Sequence, residues 1–101
     1  MPRAVLTEEE QKQGLDLRKE ITVWMRTKQE WLEEQIAALN PADEGYVEEV
    51  ARLEEEANNT YNPEVQRCYA KLNNLILSIK ERLNIKNQSI IIDWEAGEIR
   101  W

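Results

Sequence analysis

Asn62-Pro63-Glu64-Val65-Gln66-Arg67-Cys68-Tyr69-Ala70-Lys71-Leu72-Asn73-Asn74-Leu75-Ile76-Leu77-Ser78-Ile79-Lys80-Glu81-Arg82-Leu83-Asn84 carries the cleanest periodicity in this chain of 101 residues. Apolar side chains recur at Val65, Cys68 or Tyr69, Leu72, Leu75 or Ile76, Ile79 and Leu83, which is helical spacing. Asn62 suits an N-cap and Pro63 the first helical position, where a missing N–H costs nothing. The stretch therefore predicts a helix over about 63–84. Leu77 falls off the stripe, so the apolar face is wide enough to touch more than one neighbour.

Upstream, Asn58-Asn59-Thr60-Tyr61-Asn62 favours a turn, because Asn and Thr side chains compete for backbone hydrogen bonds. Before it, Tyr46 or Val47, Val50, Leu53 or Glu54, and Ala57 define a helix over about 45–58 whose other faces are acidic (Glu48, Glu49, Glu54, Glu55, Glu56). The short linker Pro41–Gly45 predicts that this helix runs antiparallel to the one before it. That first helix is expected over about 8–39. Thr7-Glu8-Glu9-Glu10 has the form of a capping box, and Leu17, Ile21, Trp24, Trp31 or Leu32, Ile36 and Leu39 follow at helical spacing. Lys28 interrupts the stripe, Gly14 is a weak point in the first turns, and Asn40-Pro41 ends the helix.

Downstream, Ser89-Ile90-Ile91-Ile92-Asp93-Trp94 is β-branched and aromatic and reads as a strand. Glu95-Ala96-Gly97 reads as a turn, with Gly97 free to take positive φ, and Glu98-Ile99-Arg100-Trp101 as the return strand. An even loop, either Ala96-Gly97 or Trp94–Gly97, places Ile90, Ile92, Ile99 and Trp101 on one face of a hairpin over about 89–101. A three-residue loop would mix the faces. Such a hairpin is marginal alone, so it packs on the helices or joins a hairpin of another chain. The expected architecture is one mainly α domain over 1–101, with three helices including an antiparallel helical hairpin, plus a short C-terminal β-hairpin. A helix from Leu15 to Leu39 would be about 37 Å long. A compact domain of this length is roughly 33 Å across, so an elongated bundle is expected, with apolar surface for association to cover.

The composition narrows function by exclusion. The chain carries 20 acidic and 13 basic residues, a net charge of -7. Phosphate binding needs a basic face, so neither nucleic acid nor an anionic membrane is the expected partner. Cys68, the single cysteine, can form no internal disulfide. No apolar stretch near the start has signal-peptide length, and none approaches a membrane span. The expected compartment is the cytoplasm.

Histidine is absent, which removes the usual general base near neutral pH, the Ser-His and Cys-His nucleophile pairs and the mixed Cys/His zinc sites. The glycines at 14, 45 and 97 are too scattered to cradle a phosphate. The all-α nucleotide pyrophosphatases are similar in size and helicity, and they hold Mg²⁺ with Glu-Glu-x-x-Glu on one helix and Glu-x-x-Asp on a later one. Here Glu33-Glu34 is followed by Ala37 and Glu48-Glu49 by Arg52, while the third helix carries Asn73 and Asn74. The motif is absent, so no catalytic, metal or cofactor residue is assigned, and the acidic faces read as solvated. Cys68 lies on the apolar stripe and reads as core.

What remains is a small, acidic, non-catalytic protein-interaction module, an adaptor, assembly or regulatory factor acting as a homo-oligomer. Its expected anchors are Trp24, Trp31, Ile90, Ile92, Trp94, Ile99 and Trp101, since buried aromatics dominate binding energy. Trp24 and Trp31, seven residues apart on one helix face, are read first as core or a helix–helix seam and second as interface anchors. Two other readings stand beside it. One is an acidic inhibitor that mimics nucleic acid on a basic target. The other is a small-ligand or nucleotide binder formed at a subunit interface.

Overall fold

The computed structural model describes residues 2–101. The chain folds as two compact units, Met1–Glu20 with Cys68–Trp101, and Ile21–Arg67. The elements in order are β1 (Arg3–Val5), α1 (Glu8–Ala37), α2 (Tyr46–Arg82), β2 (Ile91–Asp93) and β3 (Glu98–Arg100). The protein is mainly helical, with a short three-stranded antiparallel sheet.

Among the described residues there are two helices, not the three expected. The segment 58–62 is helical, and Pro63 lies inside α2 rather than opening a new helix. The reason is visible in the unit Ile21–Arg67, where the turn at 38–45 brings α2 back along α1. Leu53 and Ala57 are buried, and Tyr61, Asn62, Glu64 and Val65 half-buried. The inward stripe thus runs at helical spacing straight through the polar segment. Tyr61 lies beside both Trp24 and Trp31, with ring centroids 6.4 and 6.2 Å apart. Asn62, which suited an N-cap, instead accepts a hydrogen bond of 3.0 Å from Lys28 Nζ. The lysine that interrupts the α1 stripe is thereby satisfied where it sits. Pro63 and Asn59 are exposed, so the carbonyl deprived of its helical N–H faces the solvent side of α2.

In the other unit, the capping box forms as expected. The Thr7 amide donates to Glu10 Oε1 at 2.8 Å, and the Glu10 amide donates to Thr7 Oγ1 at 3.1 Å. At its far end α2 closes in a Schellman motif. Ile85 N–H bonds Lys80 C=O at 2.9 Å, Asn84 N–H bonds Glu81 C=O at 3.1 Å, and Asn84 takes a φ of 53°. The chain then turns back into the sheet.

Sheet order is β1-β3-β2. The C-terminal hairpin has the expected even loop, Trp94–Gly97, with Ile92 opposite Ile99. Gly97 takes a φ of 73°, the left-handed conformation the turn requires. Asp93 Oδ1 accepts from the Ala96 amide at 3.1 Å and steadies that turn. The strand the sequence did not reveal is β1, which pairs with β3 as Arg3↔Arg100, Ala4↔Ile99 and Val5↔Glu98. Ala4-Val5-Leu6 before the capping box is its only sequence trace, and three residues are too few for an alternation to show. The inner face of the sheet supplies Ile99, which joins Leu6, Ile79 and Trp94 in the core of this unit.

The continuity of α2 can be tested at its proline. Replacing Pro63 with Ala inside a helix restores an N–H and removes the ring clash, so Pro63→Ala should raise unfolding stability by about 2 kcal/mol in urea titrations. Were residue 63 the first position of a separate helix, the change would be close to neutral.

Candidate functional site

The unit built from the two chain ends is assembled around one close approach. The Trp94 ring lies directly over the α1 backbone at Gly14. A Cβ added there would sit 2.1 Å from Trp94 Cε3 and 2.2 Å from Cζ3. Gly14 is therefore buried and required, the opposite of a weak point. One turn earlier, Gln11 Nε2 donates to Trp94 C=O and to Glu95 C=O, both at 3.0 Å. Its side-chain amide also packs 3.4 Å from where a Gly97 Cβ would be. The hairpin turn is thus pinned to α1 through its main chain, and the core beneath seals it.

A second tie joins the start of the chain to the end of α2. Arg82 Nε donates to Glu10 Oε2 at 2.9 Å, and Arg82 Nη2 to Glu10 Oε1 at 2.7 Å and to Val5 C=O at 3.0 Å. Partial burial pushes the Glu10 carboxyl up. The Arg82 hydrogen bonds, the Thr7 amide and the Arg82 charge together outweigh it and hold the group below its ordinary value.

The seven expected anchors divide between the two units. Trp94 and Ile99 are buried, and Ile90, Ile92 and Trp101 pack half-buried against the same core. The hairpin therefore docks on its own helices. Trp24 and Trp31 belong to the other unit, half-buried against Tyr61. Cys68 is buried at 3% exposure, as expected of a core cysteine.

Two surface features of the chain-end unit stand out. The first is an open groove of about 520 Å³ floored by Leu17 and Leu75 and rimmed by Gln13, Asp16, Lys71, Asn74 and Ser78. The second is the sheet edge. Leu6 N–H bonds Gly97 C=O and Trp101 N–H bonds Pro2 C=O, so the odd-numbered residues of β3 turn their backbone groups toward β1. Glu98 and Arg100 therefore turn theirs toward Asp93 and Ile91 of β2. The amide and carbonyl of Ile92 consequently point away from the sheet, and those of Ile90 share that parity. Among the described residues neither has a hydrogen-bond partner. Ile91 stands on the outer face at 58% exposure. Which edge of the sheet stays open is decided by β1, which covers the far side of β3.

Among the described residues no group of three or more His, Cys, Asp or Glu side chains is placed to hold a metal ion. Among the described residues no helix is long and apolar enough to cross a membrane. Comparison with protein-family models, with curated proteins and with solved structures gave no match.

Two measurements follow. Gly14→Ala should cost about 1–3 kcal/mol in urea unfolding despite the better helix propensity of alanine, because the ring has no room to retreat. Glu10→Gln should cost about 1 kcal/mol at pH 7. A carboxyl held low in the folded state stabilises above its unfolded pKa and loses that contribution as pH falls through the folded value. The gap between wild type and Glu10→Gln should therefore close below about pH 4 in unfolding titrations.

Proposed function

We propose that this chain is a small, acidic, non-catalytic protein-interaction module that acts as a homo-oligomer in the cytoplasm, as an adaptor, assembly or regulatory factor. The observation that carries this reading is the open β2 edge. An apolar strand with unpaired backbone groups is a template for a further strand. Natural sheets blunt such an edge with lysine, proline or a covering element, and Ile90-Ile91-Ile92 has neither residue.

The anchors divide by role. Trp94 and Ile99 hold the hairpin in place from inside. Ile90 and Ile92 retain surface at the edge, as do Trp24 and Trp31 on the helices and Trp101 at the end of the sheet. The reading without catalysis is supported by a composition that contains no histidine and one buried cysteine. Self-association through apolar and main-chain contacts should survive salt, because screening acts on charges.

Light scattering after size exclusion tests this. The expected result is a mass above that of one chain, rising with concentration toward an assembled state and unchanged between low salt and about 1 M salt. A single-chain mass throughout would overturn the homo-oligomer. An assembly that dissolves with salt would point to charge pairing as its basis.

A further inference from the structure

Resting on the reading of a self-associating module, we propose that a second copy of this chain pairs with the first along β2, antiparallel, about a two-fold axis at Ile91. The geometry of the edge selects this register. The outward backbone groups belong to even-numbered residues, Ile92 and Ile90, so hydrogen-bonded pairing must match even with even. That leaves few choices. Centring on Ile92 pairs Ile91 with Asp93 of the second copy and asks Trp94, already turned into the loop, to serve Ile90. Centring on Ile90 leaves Ile92 facing Gln88.

Centring on Ile91 pairs Ile90 with Ile92 in both directions, which makes four main-chain hydrogen bonds. It sets Ile91 against its own copy on the outer face. The half-buried Ile90 and Ile92 then meet their counterparts beside the core side of the sheet, where both already pack. Asp93 falls opposite Ser89, so no like charges meet. The sheet becomes six-stranded, β1-β3-β2-β2-β3-β1 across the axis.

The opposite edge is less suited to a partner. Arg82 already occupies Val5 C=O, and Arg3 would face its own copy or another cation-bearing strand end. An interface between two β2 strands is isologous and closes at two chains, so it terminates rather than growing into a fibre.

The test uses two variants of the full chain. Ile91→Glu places a carboxylate opposite Arg100 of its own hairpin, so the fold is kept, as far-UV circular dichroism would verify. Across the axis it sets two carboxylates face to face. Light scattering should then fall from twice the chain mass to one. In the second variant, Ile91→Cys, the two thiols would sit on a non-hydrogen-bonded pair with Cα atoms about 4.5 Å apart, within the roughly 4.4–6.8 Å a disulfide bridges. Mild oxidation should give a covalent dimer. The wild-type chain, whose cysteine is buried, and a Val5→Cys variant should not. A wild-type assembly that survives Ile91→Glu and leaves Ile91→Cys uncrosslinked would overturn the β2 interface while keeping self-association. A monomeric wild type would overturn both.

Discussion

The contact between Trp94 and Gly14 is the constraint on which the chain-end unit depends. An indole ring can lie on a helix backbone only where no Cβ stands in the way, and 2.1 Å leaves no space for one. Once the ring is seated, Gln11 can reach the carbonyls of the turn. The sheet's inner face then closes on Leu6 and Ile79. A hairpin of two three-residue strands would be marginal in water. Here it gains a third strand, a tryptophan under its turn and a helix on which to lie. The glycine gives up helix propensity and obtains the close packing of a large aromatic in return.

The same exchange of local preference for packing governs α2. Asn58, Asn59, Thr60 and Pro63 all disfavour a helix interior, yet the helix passes through them. Ala57 is fully buried, and Tyr61 touches two tryptophans. Those contacts demand the 3.6-residue repeat, and the unfavourable residues lie on or near the solvent side, where their polar groups keep water. Local propensity is worth at most a few kcal/mol over such a segment, a scale that burial of a few large side chains matches.

The sheet treats its two edges differently. At β1, the guanidinium of Arg82 bonds an outward carbonyl and at the same time closes on Glu10, which the capping box has already oriented. One side chain therefore joins a helix end, a helix start and a strand edge. At β2, the equivalent groups of Ile92 have no partner among the described residues. The β1 edge is thus partly capped, whereas the β2 edge is left open.

By itself the sequence determined the helical class, the capping box, the end of α2, the even loop of the hairpin and the face shared by Ile90, Ile92, Ile99 and Trp101. All of these follow from interactions within a few residues or from a strict period, which a linear reading can see. Only the tertiary structure decided that Pro63 lies within one helix, that Gly14 is a seat for Trp94, that Lys28 finds Asn62, and that Arg3–Val5 forms a third strand. Each of these depends on a partner between 30 and 97 positions away. Short strands and lone polar residues carry no period of their own, so their meaning exists only once the chain has brought those partners together.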